Sequence, residues 1–219
     1  MKLARTILAA AAVAASFGAS AAVTGQLGGG TGSFLALSGP AACTALTPCT
    51  LGGTVATIVG GTTYAADQTF ADIPKAGTIF GGNFLAAGPT ATQPATLTFT
   101  TPVPYISFLW GSPDMYNQLT VNYTGGSQLF TAAGLGFAVT DGNQAFSQYV
   151  EFMGTGGSLI QSLVFNNIPS VDAFESANFS VAPPTPDQRA APVPEPGTYA
   201  LILAGLGVVG FLSRRRKGA

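Results

Sequence analysis

Residues 22–181 of this 219-residue chain predict an all-β domain, an antiparallel β-sandwich of jelly-roll type. Three observations carry that expectation. Gly, Thr, Val and aromatic residues dominate, and only 8% of the chain is charged, so it lacks the Glu, Lys and Arg that coat helix surfaces. Apolar and polar residues alternate with period two over short runs, as where Leu97 and Phe99 fall between Thr96, Thr98 and Thr100. Turn-forming residues separate these runs, and no helical periodicity intervenes. About 160 residues suffice for one domain with a sizeable core.

Residues 1–21 predict a secretory signal peptide: Lys2 and Arg5 supply the positive end, 7–17 the apolar core, and Ala19-Ser20-Ala21 a small-x-small cleavage site. The mature domain then opens with a glycine-rich turn at 28–32 and short apolar runs at 34–37 and 55–59. Between those runs stand Cys43 and Cys49, the two cysteines of the chain. In an oxidising compartment they most simply close a small disulfide loop. Free thiols or a metal site are the alternatives, but two cysteines without histidine do not complete a four-ligand set.

Further strands are expected at 96–100, 105–110, 119–123, 128–131, 149–153, 159–165 and 174–181. Thr124-Gly125-Gly126-Ser127 supplies a tight hairpin, and Asp141-Gly142-Asn143 a second turn after the run 137–140. Residues 182–193 hold Pro183, Pro184, Pro186 and Pro192 and predict a stiff, extended linker.

The C-terminal residues 194–219 combine three signals. Val193-Pro194-Glu195-Pro196 holds the backbone extended, because proline fixes φ and lacks an N–H. An uncharged run over 198–213 follows, slightly short for a bilayer span, and then Arg214, Arg215, Arg216 and Lys217. Cations directly after an apolar run stay on the cytoplasmic side, so the domain before them faces outward. Gly205, Gly207 and Gly210 spell a dinucleotide-binding fingerprint but lack its strand, helix and acidic residue; they fit close approach of membrane helices. This tail resembles the PEP-CTERM sorting signal of bacterial surface and matrix proteins. Tyr199 stands where that family often has tryptophan. The resemblance implies recognition by exosortase, an integral-membrane enzyme, after export across the inner membrane, and then display at the cell surface or release.

Charge and side-chain chemistry narrow the functions. Between residues 22 and 192 two cations, Lys75 and Arg189, face eight anions, Asp67, Asp72, Asp114, Asp141, Glu151, Asp172, Glu175 and Asp187, for a net charge of −6. That balance argues against nucleic acid or anionic lipid as a partner. With no histidine in the chain, Ser-His-Asp and Cys-His catalysis are excluded. A hydrolase would need paired carboxylates, for which Asp114, Glu151, Asp172 and Glu175 are the candidates. No enzyme activity, cofactor or metal is expected.

The segment Trp110-Gly111-Ser112-Pro113-Asp114-Met115-Tyr116-Asn117 leaves an apolar strand for a turn. It resembles a segment of exosortase-dependent surface proteins with similar tails. In one reading Trp110 and Tyr116 stack on sugar rings while Asp114 and Asn117 bond hydroxyls or calcium. In the other, Trp110 is a core residue beside a strand-capping turn. Residues 174–178 likewise resemble the last strand of carbohydrate-binding-like jelly rolls, where an acid and an asparagine sit at a structural calcium. Here Glu175 and Asn178 fall short of the six to eight oxygens that calcium takes. The expected function is therefore a non-catalytic surface protein of the exopolysaccharide matrix, structural or adhesive, with a lectin-like module as the alternative and a polysaccharide-modifying enzyme third.

Overall fold

A computed structural model of the protein describes residues 22–30, 33–65, 73 and 79–183. They form thirteen strands in two antiparallel sheets, with one 3-10 turn at Phe80–Gly82. The strands are β1 Ala22–Leu27, β2 Leu37–Ser38, β3 Cys49–Leu51, β4 Ala56–Val59, β5 Thr62–Ala65, β6 Asn83–Ala87 and β7 Ala95–Val103. They continue with β8 Tyr105–Gly111, β9 Asn117–Tyr123, β10 Gly126–Thr131, β11 Ser147–Thr155, β12 Ile160–Asn167 and β13 Phe174–Ser180. One sheet runs β1-β11-β8-β13-β6-β5, the other β10-β9-β12-β7-β4-β3-β2. From β6 to β9 and again from β10 to β13 the chain alternates between sheets.

Strands with one covered face follow the period-two pattern. In β7, Ala95, Leu97 and Phe99 are buried while Thr98 and Thr100 are exposed; in β4, Ala56 and Ile58 are buried between exposed Thr57 and Val59. Strands β8 and β13 are buried along their whole length, because both faces are covered. Their inner face meets the second sheet around Phe108, whose ring lies 5.5 to 6.5 Å from those of Trp110, Phe152, Phe165, Phe174 and Phe179. Their outer face is roofed by a second cluster that includes Ile73, Ile79, Phe84, Leu109 and Ala177. A continuous apolar run such as 105–110 is the signature of that double coverage.

The structure corrects several expected elements. The run 34–37 is extended only at Leu37–Ser38, and the strand after the hairpin begins at Gly126, with Thr124 and Gly125 as the turn. Residues 137–140 form no strand; Phe137 instead tucks its ring against Trp110, 5.3 Å away. Strands β1, β3, β5 and β6 were not expected. Strand β6 is Ala-rich and buried on both faces, so it has no alternation to find. Between β4 and β5 the chain crosses from one sheet to the other at Gly60. Its φ is 78°, and a Cβ there would lie 2.1 Å from the carbonyl oxygen of Pro94, so only glycine fits.

Cys43 and Cys49 are joined, with Cα atoms 5.0 Å apart, and both sulfurs lie inside the main core. The compact unit closes at Pro183. The signal peptide expected at 1–21, all but the first two residues of the linker expected at 182–193, and the sorting segment expected at 194–219 lie outside the described residues. No helix among the described residues is long and apolar enough to cross a membrane.

Candidate functional site

The turn after β8 is built by two side chains that cap each other. Asp114 Oδ1 accepts from the backbone N–H of Tyr116 (2.6 Å) and of Asn117 (3.0 Å), the local bonding that makes Asp a turn former. Asn117 Oδ1 accepts from the Asp114 N–H (3.2 Å) and from Trp110 Nε1 (3.0 Å). Its Nδ2 donates to Asp114 Oδ2 (3.1 Å) and to the Ala173 carbonyl (3.3 Å). Trp110, Asp114 and Asn117 are thus brought together, but pointing inward. They are 0%, 3% and 0% exposed, and the Trp110 ring stacks on Phe174 with centroids 4.2 Å apart.

A ring that binds sugar must present a face to solvent, so the platform role considered for Trp110 is corrected: it is a core residue. Asp114 and Asn117 spend their polar atoms within the turn, and only Tyr116, half-buried, and Met115 reach the surface.

Outside the turn lies an open cleft of about 350 Å³, lined by Asp114, Met115, Tyr116, Thr140, Asp141 and Asp172 among others. Behind it is a polar niche of about 40 Å³, bounded by Ser112, Asp114, Gln144, Asp172 and Glu175. Glu175 projects from β13 on the outer face of its sheet, is 3% exposed, and accepts from Ser112 Oγ. Burial raises its pKa to about 8, and the nearby Asp114 and Asp172 charges push the same way. Burial also raises the Asp114 carboxyl, against the pull of the Tyr116 and Asn117 N–H groups.

The candidate carboxylates therefore divide. Asp114, Asp172 and Glu175 converge on this niche. Glu151 sits apart, receiving Tyr105 Oη (2.9 Å) and Gln26 Nε2 (2.5 Å). A niche of about 40 Å³ has room for a water molecule, not for a pyranose ring. Glu175, 3% exposed, lines this niche and is not among the residues that line the open cleft. Asn178 is held in the left-handed region at φ 53° and is engaged elsewhere: its Oδ1 accepts from the Phe80 N–H (2.6 Å) and its Nδ2 donates to Tyr149 Oη (2.8 Å). Glu175 and Asn178 do not assemble a calcium cage, and among the described residues no group of three or more His, Cys, Asp or Glu has metal-binding geometry.

Sequence reasoning missed Ser112 and Thr140 as members of the site, and marked Asp141 only as a turn residue. The Ser112–Glu175 contact joins positions 63 apart, and no local pattern signals it. The bridge between Asp114 and Asp141 likewise forms only when the two turns meet.

No curated protein and no solved structure matches the chain. One family model does: residues 192–217 match the PEP-CTERM protein-sorting motif. That span contains Pro194-Glu195-Pro196, the apolar run and Arg214 to Arg216. The chain is a carrier of the PEP-CTERM sorting motif, and so a secreted precursor addressed to exosortase and to the cell surface.

Proposed function

We propose that the protein is a non-catalytic matrix component: a two-sheet β-sandwich exported, processed by exosortase at its C-terminal signal and displayed in the exopolysaccharide layer. The observation that carries this reading is the pairing of the sorting motif with a domain whose most chemically capable turn is consumed by its own folding. Trp110, Asp114 and Asn117 satisfy one another, and the carboxylates that converge do so on a niche too small for substrate. Such a role needs a folded body and an address: the described residues supply a two-sheet core, and residues 192–217 match the sorting motif.

A lectin-like function is the second reading, favoured by the open cleft beside the turn. It rests on Tyr116 with Asp141 and Asp172, the lining groups available for stacking and for bonding hydroxyls. Trp110 has no part in it.

The test is maturation and retention in exosortase-carrying cells. Glu195→Ala is expected to insert but to remain unprocessed, since Glu195 contributes recognition and no hydrophobicity. Processing and release like the wild type would show that the motif is not read, and would sink the proposal. If mature protein binds the producer's polysaccharide, and Tyr116→Ala abolishes that binding without loss of fold, the lectin reading replaces the structural one.

A further inference from the structure

The sandwich has four sheet edges, and they are not treated alike. The β5 edge is covered by the segment before the disulfide: the Thr63 N–H donates to the Ala41 carbonyl (2.6 Å), and Ala42 bridges Thr62. The β2 edge is two residues long. Strands β1 and β10, each six residues, are different. Strand β1 pairs with β11, β10 pairs with β9, and among the described residues no strand lies on the outer side of either. The two edges lie on the same side of the molecule, flanking a groove of about 430 Å³ whose lining includes Val23, Gly25, Gln128, Leu129 and Leu135.

Natural sheets blunt such edges with lysine, proline, bulges or short strands. These carry none: neither strand contains a charged residue or proline, and both registers run without a bulge. Tyr123 and Gly126 close the two-residue hairpin turn as a hydrogen-bonded pair, so Ser127 and Leu129 turn their N–H and C=O groups outward. Leu129 is 54% exposed.

Two stacked rows of backbone donors and acceptors restrict the partner. One extended peptide satisfies one row and leaves the other in water. A partner that satisfies both must offer two strands at the sheet-to-sheet spacing of about 10 Å. A second copy of this chain, related by a two-fold axis through the groove, offers them by symmetry. Charge permits it here: the described residues include acidic side chains and no Lys or Arg, so acidic faces repel, while these edges are neutral. Glu151, one strand in from the β1 edge, is 6% exposed and bonded by Gln26 and Tyr105.

We propose that the exported domain forms a two-fold dimer through this side, β1 against β1 and β10 against β10, doubling the six- and seven-stranded sheets to twelve and fourteen strands. The inference concerns the fold's edges and is independent of the acid-lined cleft.

Cross-linking of the full chain in producing cells tests it. Ser127→Cys, Gln128→Cys and Leu129→Cys are introduced singly, with exposed Val171→Cys as the control for chance collision. Facing residues at a two-fold axis have Cα atoms within disulfide reach, so at least one of the three is expected to give a non-reduced dimer well above the control. Mature protein recovered from the same cells is expected to sediment as a dimer at micromolar concentration. Thr24→Lys with Leu129→Lys, which sets like charges across both seams, should raise the concentration of half-dissociation at least tenfold with an unchanged circular dichroism spectrum. Cross-linking no greater than the control, or a monomeric mass throughout the micromolar range, overturns the dimer. So does a monomer whose Ser127 and Leu129 amides become protected from exchange on addition of the producer's polysaccharide, which would assign the edge to a glycan.

Discussion

Glu175 shows how burial sets the chemistry of a single residue. Burial raises its carboxyl to about 8, against the pull of the Ser112 Oγ hydrogen bond and with the Asp114 and Asp172 charges pushing further up. The sign of the linkage follows. Between the ordinary value of 4.5 and about 8 the native state holds a proton that the unfolded chain has released, so stability falls as pH rises through that window and levels off above it. Asp114, also raised by burial, adds to the fall in the acidic part. Thermal melts of the mature protein from pH 5 to pH 9 should show a declining midpoint. Glu175→Gln, neutral and of the same shape, should remove most of the decline; parallel curves for the two proteins would refute the assignment.

The next scale is the turn that joins β8 to β9. Its stability is shared between a stacked ring and a hydrogen-bonded clamp, with Trp110 belonging to both. Replacing Trp110 by alanine opens a cavity among Phe108, Phe137 and Phe174 and leaves Asn117 Oδ1 short of a donor. The expected loss is about 3 to 5 kcal/mol, the range for a large buried aromatic. Equilibrium denaturation checks it, and a change below about 1 kcal/mol would contradict the core role. That this segment is a turn was legible in Gly111, Pro113, Asp114 and Asn117. Which way its side chains point was not. The apolar run 105–110 has no polar residue except Ser107 to mark an outer face, because the second cluster around Ile73 covers that face too.

For the molecule as a whole, the sandwich supplies its own core and ends before the sorting segment. The main cluster draws on both sheets and the disulfide, and its members fall between Val23 and Phe179. Chain cut after Pro183, and exported by the same signal peptide, should therefore melt cooperatively with a β-type far-ultraviolet spectrum and a midpoint within a few degrees of the mature protein. A helical spectrum or a non-cooperative melt would refute an autonomous domain. Strands with one solvent face, β4, β7 and β9, could be found by alternation; β1, β5 and β6 could not. Their residues are chosen by what packs over them: Gly25 of β1 lies under Phe130 and Phe152, and the alanines of β6 are closed in on both sides.

By itself the sequence determined the address and the class of fold. Sorting motif and binary pattern are local: a few adjacent residues with fixed chemistry, read by an enzyme or a sheet without reference to distant parts of the chain. A disulfide was also foreseeable, since an exported chain with two cysteines six positions apart has one simple pairing. Only the tertiary structure decided that Trp110 is core, that Ser112, Asp172 and Glu175 share a niche, and that two neutral edges lie side by side. Each depends on which distant strands become neighbours, and strand neighbours are selected by the free energy of the whole core, which no short stretch of residues encodes.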